Sequence, residues 1–180
     1  MKWIPILVLV LAAGLVGCAD SRTPPAMAPQ ANTVDSQANM LDPLVLAQKP
    51  DNAISVREAL KRKEGETVVV TGRTPPGNVK PFNSGVAAFV LMAPEDLAQE
   101  DIKEELECED AATCPSCKKL LDQFAVRVEL VDEAGAVLPM SAEGFRGLKV
   151  GDPITVEGEV KRDGKDKKTV RIVARKLYPG

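Results

Sequence analysis

The chain has 180 residues, 26 acidic against 23 basic side chains, a formal net charge of −3 and no histidine. That length accommodates one ordinary domain with accessory segments. Without imidazole the chain lacks the commonest general base and the commonest nitrogen ligand of zinc and haem. An aromatic content of 3% and a mildly acidic balance argue against base-stacking platforms and a broad phosphate-binding surface, so nucleic acid is an unlikely partner.

Lys2 is the one charge ahead of the first cysteine, and an apolar run from Trp3 to Val16 follows it, broken by Pro5 and Gly14. The run is about 14 residues, short of the roughly 20 that a spanning helix needs and matched to the apolar region of a secretion signal. It closes on Leu15-Val16-Gly17-Cys18, which resembles the lipobox of bacterial lipoproteins. That resemblance implies a signal peptide over 1–17, diacylglycerol on the Cys18 thiol, and Cys18 as the mature N-terminus. Two or three acyl chains anchor firmly, because each buried methylene adds about 0.8 kcal/mol. The expected location is the cell envelope, with the chain lipid-anchored to a membrane and its domain on the exported side. Ala19 follows the cysteine and Asp20 comes one place later, which leaves inner and outer membrane both open.

Residues 18–52 are rich in Pro, Ala, Gln, Asn and Ser and carry no aromatic side chain. Such a composition cannot bury enough surface to offset its ordering entropy, and it reads as a disordered tether behind the lipidated cysteine. The apolar patch Met40-Leu41-Asp42-Pro43-Leu44-Val45-Leu46 is the exception, a segment suited to docking on the domain.

The domain is expected over 53–180. Ser55 followed three residues on by Glu58 is a capping-box pattern for one or two helical turns, with Val56, Ala59 and Leu60 on one face. Thr67 to Arg73 is rich in β-branched residues and predicts a strand, and Val86 to Met92 a second, joined by a Gly/Pro/Asn-rich loop. Residues 94–121 break this rhythm with an acidic helix-like segment from Glu95 to Glu107, then Cys108, Cys114 and Cys117. Ala125 to Asp132 alternates apolar and charged residues, as a half-buried strand should. Ser141 to Leu148 reads as a short helix or loop. The last two strands, Ile154 to Arg162 and Thr169 to Leu177, form a hairpin across the polar turn at Asp163-Gly164-Lys165-Asp166.

Five strands, a short helical element between the third and fourth, and Gly158 inside the fourth describe a mainly β, five-stranded Greek-key barrel. Leu148-Lys149-Val150-Gly151-Asp152 leading into Val156-Glu157-Gly158-Glu159-Val160 is similar to OB-fold domains. The chain also resembles bacterial envelope proteins that pair a lipoprotein signal with one OB-like domain and a cysteine-bearing insertion between the second and third strands. No activity follows from that group. Nucleic-acid-binding relatives would show several aromatic and cationic residues on the strands that here carry one phenylalanine and one arginine.

Cys108, Cys114 and Cys117 form C-x5-C-x2-C and support three readings. In an oxidising compartment a disulfide is the default fate of paired thiols, with Cys108 bridging Cys114 or Cys117, though an odd count leaves one thiol over. A metal reading takes all three thiolates, with Glu107, Glu109 or Asp110 adding an oxygen where zinc wants a fourth ligand. A redox dithiol reading uses Cys114-Pro115-Ser116-Cys117, without the βαβ context of thioredoxin-like folds. Lys118 stands where a haem-attachment motif needs histidine. The acidic run from Glu100 to Asp110 lacks calcium-loop spacing and reads as a solvated helix face. Lys161, Arg162, Lys165, Lys167, Lys168, Arg171, Arg175 and Lys176 read as protection of strand edges against aggregation, ahead of an anionic-ligand surface. No catalytic set emerges. The expectation is a non-enzymatic interaction or structural module with an envelope protein partner, beside the alternatives of a metal-binding or redox domain and of a nucleic-acid-binding OB domain.

Overall fold

The computed structural model describes residues 40–108, 113–164 and 168–180. The lipobox with Cys18, and the tether before Met40, lie outside the described residues. Among the described residues no helix is long and apolar enough to cross a membrane.

The architecture is mainly sheet, six strands of mixed direction with short helices. The strands are β1 (Ile54–Ser55), β2 (Thr67–Arg73), β3 (Ala88–Met92), β4 (Ala125–Leu130), β5 (Pro153–Asp163) and β6 (Thr169–Pro179). The strand beyond the expected five is β1, a two-residue segment that runs parallel to Val70 and Thr71 of β2. The helices are α1 (Val56–Ala59), α2 (Pro94–Leu97), α3 (Glu100–Leu106) and α4 (Pro115–Phe124), with a 3-10 turn at Phe145–Gly147. The expected capping box of α1 is formed: the Ser55 side chain accepts from the Glu58 amide, and the Glu58 carboxylate accepts from the Ser55 amide at 3.0 Å.

Strand order is β1-β2-β3-β4-β6-β5, and β2 also pairs with β5, so the sheet folds back on itself. The β2–β5 pairing runs from Thr67–Glu159 to Arg73–Pro153, whereas β2 meets β3 at one residue pair, Arg73 with Met92. That narrow join keeps the sheet from being a uniform barrel. Gly158 lies at a register shift between β5 and β6, where a Cβ would stand 2.3 Å from the Val173 carbonyl oxygen and 2.6 Å from the Ala174 Cα. Only glycine lets the two backbones approach so closely.

Alternation along the strands fills the interior with Val70, Leu91, Val126, Val128, Leu130, Ile154, Val156, Ile172 and Leu177, all fully buried. The apolar patch ahead of the domain docks there too. Leu41 is fully buried, Leu44 and Val45 pack on the same core, and the Leu46 amide donates to the Leu177 carbonyl at 2.8 Å.

The insertion between β3 and β4 is helical, as expected, but the acidic helix over Glu95–Glu107 is two short helices, α2 and α3, with Gln99 between them in extended geometry. At the break, Asp96 is fully buried and takes hydrogen bonds from Arg57 on α1 and from Gln99, which anchors α2 to α1. The third helix, α4, runs directly into β4.

Candidate metal centre

The insertion packs on a second, smaller core made of Ile102, Leu106, Cys117 and Leu120 with Val79, Met92 and Ala125 from the flanking loop and strands. In α3 the residues Ile102 and Leu106, four apart, face this core, while the intervening acidic residues face outward and Lys103 pairs with Glu100 at 2.6 Å. The acidic run therefore behaves as a solvated face over its described part. Cys108 lies one residue beyond Glu107, the C-cap of α3. Cys114 is the N-cap of α4 and Pro115 the first helical residue, a place where the missing amide proton is no loss. Cys117 lies three residues after Cys114, on the same side of the first turn, and is buried in the small core.

Packing of α3 against α4 thus brings the three cysteines together, with all three sulfurs within 4.8 Å of one another. All three are free thiols, so the expected bridge from Cys108 to Cys114 or Cys117 is not formed. The Cys117 thiol instead donates to the Glu105 carbonyl, 3.0 Å away at the end of α3. No carboxylate joins the group among the described residues. Of the expected oxygen donors, Glu107 is exposed, and Glu109 and Asp110 lie outside the described residues.

Two residues that sequence reasoning passed over position this cluster. The Asn78 amide donates to the Leu106 carbonyl at 3.2 Å and its side chain donates to the Glu107 carbonyl at 2.8 Å. Together with Cys117 on Glu105, these bonds satisfy three successive carbonyls that the end of a helix leaves without intrahelical partners. Gly77 has φ +87°, and a Cβ there would stand 2.8 Å from the Leu106 oxygen, so the loop comes this close only as glycine. The Pro-Pro-Gly-Asn stretch is readable as a turn, but nothing local names the helix end it clamps.

The three thiols differ electrostatically. The Cys114 pKa is lowered to about 7, first by the backbone amide of Cys117, then by the Cys117 and Cys108 thiols and the Ser116 amide. This is the stabilisation a helix N-terminus offers to an anion. Burial, and then the Cys114 and Cys108 sulfurs, push Cys117 up to about 12.

The basic residues near the C-terminus are largely engaged within the domain. Lys161 pairs with Glu159, Arg162 donates to the Leu60 and Arg62 carbonyls at 2.8 and 2.7 Å, and Arg171 bridges Asp163 and Glu129 at 2.8 and 2.6 Å. The Asp163 hydrogen bonds, ahead of those from Glu129, hold Arg171 more firmly protonated than usual. Lys165 and Lys167 lie outside the described residues. A cleft of about 660 Å³ runs along the other side of α4, lined by Leu60, Lys118, Lys119, Asp122 and Thr169, and no cysteine reaches it.

Comparison with protein-family models and with curated proteins gives no match. Among solved structures, one described as an aspartyl-tRNA synthetase from Leishmania major Friedlin aligns over 81% of this chain and 26% of that one, at 15% identity and a TM-score of 0.39. The chain spans about a quarter of that protein's length, and the likeness carries no inference about activity.

Proposed function

We propose that this protein is an exported, lipid-anchored binding module, with Cys18 as the lipidated residue and a thiolate metal site formed by Cys108, Cys114 and Cys117. The observation that carries the metal reading is the convergence of three free thiols within 4.8 Å. Thiolates around one ion at a metal–sulfur distance of about 2.3 Å stand about 4 Å apart, so small side-chain rotations close the set. The lipobox supports the anchor. An OB-like reading of the domain is supported by the cyclic order β2-β3-β4-β6-β5, with the insertion between the second and third of these strands. Binding in place of catalysis is supported by the lack of histidine and, Cys18 aside, by cysteine chemistry confined to one cluster.

The test is intact mass and elemental analysis of the mature chain isolated anaerobically from the envelope, with and without reductant. The expected mass starts at Cys18 with its acyl chains, shows no two-dalton change on reduction, and is accompanied by one metal ion per chain. The lowered pKa of Cys114 favours one second reading, a thiol–disulfide exchange site with Cys114 as nucleophile. That reading expects a reducible bond from Cys114 to Cys117 or Cys108 and no metal, which would overturn the first.

A further inference from the structure

We infer, on the reading that this cluster binds metal, that its ion is a single copper(I), held by three thiolates and open to exchange on one side. The donor set is all sulfur. Histidine is absent from the whole sequence, and among the described residues no carboxylate joins the three cysteines. A closed structural zinc site takes four ligands and three converge here among the described residues, whereas copper(I) is a soft ion that three thiolates alone can hold. An iron–sulfur cluster is ordinarily held by four cysteines, or by two with two histidines, and this group offers three cysteines and no histidine. The apolar floor of Ile102, Leu106 and Leu120 offers no oxygen shell to magnesium or calcium.

The three ligands are also unequally placed. Cys117 is fully buried at the floor, while Cys108 and Cys114 are half-exposed at the rim. An ion held this way is walled on the protein side and approachable by an incoming thiol or thioether on the other. That arrangement suits a transferable ion better than a closed structural centre. Each thiol that binds gives its proton to solvent, copper stays in the +1 state, and no oxidant or reductant takes part. When Cys117 becomes a ligand it also gives up its hydrogen bond to the Glu105 carbonyl.

The experiment uses the mature full chain, reduced and metal-free under anaerobic conditions. Copper(I) is titrated in against bathocuproine disulfonate, zinc is titrated against a chromophoric chelator, and the loaded protein is examined by X-ray absorption. The expected result is one copper(I) per chain with three sulfur neighbours, stripped by excess chelator without unfolding. Cys108→Ser and Cys114→Ser should each weaken copper binding by about 100-fold or more, beyond the 10–100-fold typical of outer-shell losses. Their melting curves report whether the fold survives. Glu109→Gln with Asp110→Asn should leave copper binding unchanged.

Zinc bound by four ligands and weakened by the Glu109/Asp110 change, with copper(I) not retained against the competitor, would overturn the copper inference and leave the thiolate metal reading standing. Two or more copper ions per chain would overturn the single-ion site. If neither ion is retained, both the inference and the reading beneath it fall.

Discussion

The two buried clusters of this protein are assembled in different ways. The large one joins side chains from all five long strands and from residues as distant in sequence as Leu41 and Leu177, tied by continuous backbone ladders. The small one contains seven buried residues, four of them on helices of seven and ten residues, with Val79 from a loop and Met92 and Ala125 from the paired ends of β3 and β4. Side-chain hydrogen bonds also tie its helices to the rest of the domain: Arg57 of α1 on Asp96, Asn78 on the end of α3, and Thr169 donating to Asp122 at 3.2 Å. A cluster this small opens at lower cost than the domain unfolds. The cysteines therefore lie in the part of the molecule best able to yield when an ion enters or leaves.

The largest effect should come from the sheet. Gly158→Ala places a methyl group against the Val173 and Ala174 backbone, which cannot step aside without breaking the β5–β6 ladder. The expected cost is about 3 kcal/mol or more, read from the midpoint of urea unfolding. A loss under 1 kcal/mol would mean the close approach is soft.

Leu106→Ala tests the other side of the comparison. Removing a fully packed leucine costs about 2 kcal/mol or more. Here the loss should appear as faster amide exchange in α3 and α4, with strand amides of β5 and β6 still protected. Equal acceleration in both regions would show that the clusters unfold as one.

Smaller again is Asn78→Ala, which leaves the Glu107 carbonyl without its side-chain donor. About 1 kcal/mol of stability should go with it. A metal affinity lowered by about tenfold would mark the residue as one that positions Cys108, and an unchanged affinity would make it structural only.

The smallest change is chemical and leaves stability aside. Because the thiolate is the reactive form, alkylation of Cys114 in the metal-free protein should rise with pH through about 7, while Cys117 stays unreactive until far higher pH. Mass spectrometry of iodoacetamide-treated protein at stepped pH reads both. Equal rates at the two positions would remove the asymmetry on which a floor and a rim depend.

Much of this architecture is local enough to read from the chain. Thr67 to Arg73 is a strand because β-branched residues crowd there, and Ser55 with Glu58 caps a helix because the two groups are three residues apart. The alternation from Ala125 to Leu130 assigns Val126 and Val128 to the core by period alone. The C-x5-C-x2-C spacing marks a site but leaves disulfide, metal and redox chemistry undecided. Spacing along a chain carries no information about which way each sulfur turns.

Tertiary structure decided the rest. The anchoring of α2 follows from Arg57, 39 positions before its partner Asp96, and the clamp on α3 follows from Asn78, 29 positions before Glu107. Turning Cys117 inward to the Glu105 carbonyl, with Cys108 and Cys114 at the surface, required α3 and α4 to pack together. Pattern and propensity act over a few residues and reveal strands, caps and turns. The meeting of three thiols depends on contacts between segments far apart in the chain, which no short window of sequence contains.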